Sequence, residues 1–234
     1  MSSSIQRKRV RKSPSDRRVE IVDAAAAIAL TEGLEGITLR RIGEQLGVQP
    51  GLISHYFPAV EDLVAEAFGT AAGAELDTLL PTDRTAGTPT EHLARFFSLA
   101  TGTAYDDISR LWINARHLSR YRPALRDRVG HQEAMWRGRL ESLIREGVDR
   151  GEFRTDDPHV TTIQILVVID GLGAHANTHT GDRPDAVTRM AVTTAERELG
   201  LESGTLLDHA GTPGAGGRPL SGTDSTDIDA GPGD

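Results

Sequence analysis

The chain has no cysteine. Disulfides and thiolate-bound zinc are therefore excluded, and stability has to come from packing alone. Aromatic residues make up only 4 % of the sequence, with two Trp among them. No stretch alternates apolar and polar residues as a half-buried strand does, so the fold class expected is all-α. No unbroken apolar run reaches the ~18 residues of a membrane span. The basic start is not followed by an apolar segment, so no signal peptide is expected. A cytoplasmic chain without a membrane partner is the expectation. Nucleophile elbow, zinc-protease and nucleotide-loop motifs are all missing. Gly214–Ala215–Gly216–Gly217 follows no strand and opens no helix, so it is not a phosphate loop. His175 and His179 stand four apart without a third ligand. They read as a helix-end pair favoured by the dipole. No enzyme, cofactor or metal site is expected.

What the chain does carry is a divided charge. Its 234 residues have a net charge of −8. Residues 1–60 hold 9 Lys and Arg against 6 Asp and Glu, a balance of +3, and the remainder holds 17 against 28, a balance of −11. A nucleic-acid face belongs at the N-terminus, and the acidic remainder orients the approach.

The stretch Thr38–Phe57, TLRRIGEQLGVQPGLISHYF, reads as two short helices around a tight turn. Leu39, Ile42 and Leu46 mark one buried face of the first. Thr38 suits its N-cap, Gly47 its C-terminal positive φ, and Pro50 the first turn of the next helix. Ile53 and Phe57 pack back on Ile42 and Leu46. The opposite face carries Gln49, Leu52, Ser54, His55 and Tyr56. This is the spacing of a helix-turn-helix, whose second helix enters the major groove. Gly43 provides a small residue where two helices cross.

Thr38, Arg41–Ile42, Leu46–Gly47–Val48, Gly51, His55–Tyr56–Phe57–Pro58 and Glu61–Asp62–Leu63 resemble the N-terminal signature of tetracycline-repressor (TetR) type regulators. The resemblance spans residues 17–64. The sequence departs from it at Gly43, where the family usually has Ala, and at Ala59–Val60, where it usually has Ser–Lys. A second resemblance, to choline-pathway repressors of the same family, rests on Trp112, Ala115–Arg116–His117, Trp136 and Arg150–Gly151–Glu152–Phe153.

Taken in order, residues 1–16 are Ser-rich and basic and read as a disordered arm, either a solvated tail or a phosphate contact. A helix over 17–31 carries Val22, Ala25, Ala26 and Ala29 inward. Another opens near Ala59 with Val60, Leu63, Val64, Ala67, Phe68 and Ala71 on one stripe. Pro81–Pro89 reads as a loop. Three helices follow, striped by Leu93 and Phe97, by Leu111 and Trp112, and by Leu125, Trp136 and Leu140. On the third, Glu133–Arg137, Glu141–Arg145 and Glu146–Arg150 have the spacing of i,i+4 pairs. Residues 158–177 form a helix with almost no polar face, which a partner copy would cover. A last helix spans 184–199. Residues 201–234 read as a disordered acidic tail. The expected domains are thus 17–64, a three-helix DNA-binding head, and 65–200, a helical effector-binding and dimerisation body.

The resemblance implies a homodimeric, ligand-released repressor of a palindromic double-stranded DNA operator. Phosphates are assigned to Thr38, Arg40 and Tyr56. Bases are assigned to Gln49, Leu52, Ser54 and His55, with Pro50 at the entrance of the reading helix. A small-molecule effector is expected among Phe97, Tyr105, Trp112, Asn114, His117 and Trp136, aromatic walls with few polar groups. The competing reading is a helical ligand-binding or interaction protein that no longer reads DNA, suggested by Ala59 and Val60.

Overall fold

The computed structural model describes residues 12–100, 103–178 and 184–210, apart from the side chains of 103–107 and 210. The basic cluster up to Arg11 and the tail beyond 210 lie outside the described residues, as does His179. No strand occurs among the described residues.

Helix α1 runs Pro14–Glu32, α2 Leu39–Leu46, α3 Pro50–Tyr56 and α4 Val60–Leu79. The first begins earlier than the expected residue 17. Ser13 Oγ accepts the Asp16 N–H at 3.1 Å, and Pro14 needs no donor at the first position. Gly33, at φ 80°, ends it, and a single 3-10 turn, Leu34–Gly36, tucks Leu34 into the core.

The body comprises α5 Pro89–Ala100, α6 Thr103–Ser119, α7 Pro123–Asp149, α8 Pro158–Ala176, α9 Asp185–Thr188, α10 Met190–Glu198 and α11 Thr205–Ala210. The helix expected over 184–199 is broken at Arg189 into α9 and α10. Residues 205–210, expected within a disordered tail, form α11 instead. Leu206 of α11 is buried, and α11 packs on α5. The buried Glu196 carboxylate accepts the N–H groups of Gly204 and Leu206, which caps the start of α11.

Both α1 and α7 pack on α4, and one apolar core runs from the head along α4 into the body. Phe68 of α4 and Phe96 of α5 are fully buried in it. Each such side chain contributes roughly 1.5–3 kcal/mol. After α7 the chain reverses at Gly151, φ 73°. Phe153 then seats its ring where Gly147 has no side chain, and its N–H is accepted by the Gly147 carbonyl at 3.1 Å.

Helix α8 buries Thr161, Ile165, Ile169 and Gly173 and leaves Val160, Ile163 and Val167 exposed. By length and composition it is the one described helix apolar enough to cross a membrane, with mean hydropathy 1.2 over its best window. Counting only unbroken apolar runs misses it, because Gln164 and Asp170 interrupt the run. That Asp170 holds Arg116 of α6 at 2.8 Å, and α8 packs on α6, α7 and α10.

Candidate nucleic-acid interface and ligand cavity

The α2–α3 hairpin is built by local signals. Thr38 Oγ1 accepts the Arg41 N–H at 3.1 Å and caps α2. Gly47 takes the left-handed conformation, φ 63° and ψ 39°, that a side chain disfavours. The helices cross closely at Gly43, where an added Cβ would lie 2.8 Å from the Val48 carbonyl oxygen. Ile42, Ile53 and Phe57 are buried together. That fixes which side of α3 faces outward.

Gln49, Pro50, Leu52 and His55 are exposed on α3 and its cap, and Thr38 and Arg40 are exposed on α2. Arg40 pairs with Glu44 at 2.9 Å, an exposed pair worth little. Ser54 is placed differently from the other residues expected to face bases. It is half-buried, and its hydroxyl donates to the Gly51 carbonyl at 3.1 Å. Tyr56 is half-buried against the core, with its ring edge-on to His55. At Ala59 no side chain caps α4, and Val60 packs against the core, as their departure from the family pattern implies.

Three contacts tie this head down. Arg18 of α1 pairs with Glu66 of α4 while lying over the Phe57 ring. Arg41 of α2 holds Glu32 of α1 at 2.6 Å and keeps its carboxyl below the usual range. Asn114 of α6 accepts the Leu34 N–H at 2.9 Å and donates to Glu35 at 2.8 Å. Sequence reasoning places Asn114 at the effector. The structure places it against the head, because its outward turn of α6 meets the 3-10 turn.

A cavity of about 520 Å³ opens between α6, α7 and α8. Of the six residues expected around an effector, Trp112 and Trp136 line it. Phe97 is instead buried against Phe96. His117 is exposed and stacks edge-on with Tyr121. The Tyr105 side chain lies outside the described residues. The sequence reading missed the α8 wall of Ile163, Leu166 and Ile169, and the charged group of Arg116, Glu133, Arg137 and Asp170. Arg116 lies over the Trp112 ring at 5.1 Å and bonds both Glu133 and Asp170.

Behind Trp112 is Glu75 of α4, whose Oε2 accepts the indole N–H at 2.8 Å. Its Oε1 is buried without a partner. Burial raises this carboxyl to about 7, against the lowering effect of the Trp112 bond. Burial also raises Asp170, with Arg116 opposing. A chain of contacts therefore leads from α8 through α6 to α4, and α6 also touches the head. Among the described residues no three side chains form a metal-binding group.

Residues 21–67 match the family described as bacterial regulatory proteins, tetR family, and residues 89–200 match the BetI-type transcriptional repressor C-terminal domain. The chain is 27 % identical to the HTH-type transcriptional repressor KstR2 of Rhodococcus jostii over 161 residues, 61 % of this chain and 70 % of that protein. Among solved structures, a TetR-family regulator from Rhodococcus sp. is similar with a TM-score of 0.67 at 20 % identity, covering 79 % of this chain and 99 % of that one. A transcriptional regulator from Saccharomonospora viridis in complex with choline gives 0.67 at 23 % identity, covering 79 % and 98 %. Bacillus subtilis FadR in complex with stearoyl-CoA gives 0.57 at 21 %, covering 77 % and 97 %. At these identities the structural likeness is one of fold.

Proposed function

The chain belongs to the TetR family of bacterial transcriptional regulators, and from that premise we propose that it is a homodimeric repressor of a palindromic operator, released when a small molecule fills the cavity between α6, α7 and α8. The observation that carries the reading is the packing of α3. Ile53 is buried on one side, and Gln49, Leu52 and His55 are exposed on the other. A helix held this way presents its outer face to a major groove. Gln49 matches an adenine edge, and Leu52 a thymine methyl. Thr38, Arg40 and Tyr56 supply phosphate contacts that position the helix without reading sequence.

Dimerisation is supported by α8. Val160, Ile163 and Val167 form one exposed stripe at i, i+3 and i+7, the last two also lining the cavity, and Gly171 and Ala174 continue it with small residues. An apolar stripe of this length on a regulator's surface calls for a second copy. Release is supported by α6. The same helix carries Trp112 and Arg116 at the cavity, touches α4 through Glu75, and holds the head through Asn114. A ligand that shifts α6 acts on α4 and on the head at once. A repressor of this kind works in the cytoplasm, where its operator is.

Selection of bound sites from random duplex DNA tests the proposal. Enriched sites should be palindromic, with half-sites about 34 Å apart or a multiple of it. Affinity should fall steeply with salt. Enrichment of no duplex at low salt would return the chain to the class of helical interaction proteins.

A further inference from the structure

On α7, Glu133 and Arg137 stand four apart with the acid first, a spacing that normally pairs them. Here Glu133 reaches across to Arg116 at 3.1 Å, and Arg116 also holds Asp170 at 2.8 Å. Arg137 is left half-buried at the cavity wall with no carboxylate and no hydrogen-bond acceptor. Half-buried arginines elsewhere differ: Arg84 and Arg139 sit on Glu146 at 3.5 Å and Asp77 at 2.6 Å, whereas Arg128 has no acid among the described residues. A guanidinium keeps its charge at every accessible pH, and withdrawing it from water without an anion is unfavourable.

Much of the rest of the wall is apolar, with Trp136 on α7 and Ile163, Leu166, Val167 and Ile169 on α8, and His159, held by Glu141 at 2.8 Å, also lines it. Two acids, Glu133 and Asp170, also line the cavity, but both already accept from Arg116. The unpaired donors of the wall are therefore the Arg137 fork and the buried Trp136 indole N–H, while each of the two acids has one oxygen already engaged by Arg116. We propose that the ligand of this cavity is an amphipathic organic acid, with its carboxylate on Arg137 and its apolar body along Trp136, Ile163 and Leu166. This rests on the reading of the cavity as the effector site. An Arg–carboxylate contact is commonly bidentate, so it fixes orientation as well as charge.

The chain has two Trp and both line the cavity, so tryptophan emission, excited apart from the three Tyr, reports on this site. Decanoate, decanol and decyltrimethylammonium share one chain length and differ in head group. Titrated below their micelle concentrations into the full chain, decanoate should bind at least tenfold more tightly than either of the others. Arg137→Gln should weaken decanoate at least tenfold and leave decanol unchanged. Arg137→Lys keeps the charge but not the fork and should recover only part of the loss. Tighter binding of decyltrimethylammonium, or decanoate indifferent to Arg137→Gln, would overturn the organic-acid assignment while leaving the cavity a ligand site. Silence from all three probes would overturn the cavity reading itself, and the assignment with it.

Discussion

Asn114 of α6 accepts the backbone N–H of Leu34, 80 residues away, at 2.9 Å. Its amide also donates to Glu35 at 2.8 Å. Asn114→Ala leaves the buried Leu34 N–H unmatched and should cost roughly 1–3 kcal/mol. Asn114→Asp keeps the acceptor but sets one carboxylate beside another. Its thermal midpoint should be depressed at pH 7. An unchanged midpoint for Asn114→Ala would show that the clamp is not made in solution.

The buried carboxyl of Glu75 makes stability depend on pH. Its value is about 7 in the folded chain against an ordinary 4.5. Between these two pH values the folded state keeps a proton that the unfolded state has released. Stability should therefore fall as pH rises through that window, by up to about 1.4 kcal/mol per unit. Glu75→Gln cannot ionise and still accepts from Trp112, so denaturant midpoints measured from pH 4.5 to 7.5 should show a flatter slope. Parallel wild-type and variant profiles would refute the burial effect.

Gly43→Ala gains about 1 kcal/mol of helix propensity. It also sets a methyl carbon 2.8 Å from the Val48 carbonyl oxygen, a backbone atom that cannot swing aside. Overpacking of this kind costs roughly 1–3 kcal/mol. The net expectation is a small loss of stability with a larger loss of operator affinity, since α3 has to move. Calorimetry beside a DNA-binding titration distinguishes the two, and a stabilised variant would mean that the hairpin relaxes freely.

Two neighbouring residues of α8 should behave in opposite ways. Val167 is 62 % exposed and Ile169 is 6 % exposed. Val167→Asp should stay folded and sediment as a monomer. Ile169→Asp buries a charge and should fail to fold. A dimeric Val167→Asp would place the seam elsewhere.

At the reading face, Gln49→Ala should relax preference at one operator position by roughly 1–3 kcal/mol. Tyr56→Phe should weaken all operators alike by about 1 kcal/mol. Neither should shift the thermal midpoint of the head. Equal, uniform losses for both would mean that Gln49 reads no base.

The head is legible in the sequence because its signals are local. Thr38 caps, Gly47 turns left-handed and Pro50 opens a helix, each within a few residues of the feature it specifies. The cavity is not legible in that way. Spacing along α7 shows that Glu133 can reach Arg137, but Arg116 comes from another helix, and only the packed structure shows which one Glu133 chooses. Asn114 fails for the same reason, since its partners lie in a turn on α1's far side. The break at Arg189 has no Gly or Pro to announce it. Helix α11 is a single turn and a half, too short for a periodic pattern, although Leu206–Leu207 in a polar tail was an available clue.

The seat of α11 on α5 also orders events in time. Residues 89–100 wait for residues 205–210 before one of their faces is covered. The head, complete by about residue 67, has all of its partners early except Asn114. At a synthesis rate of roughly 5–20 residues per second, the interval between them is on the order of 10 s. During that interval a chain with a finished reading head carries an unfinished body. The α5 face is then open to chaperones or to a neighbouring nascent copy, and a nonsense change just before Leu206 would prolong that state indefinitely.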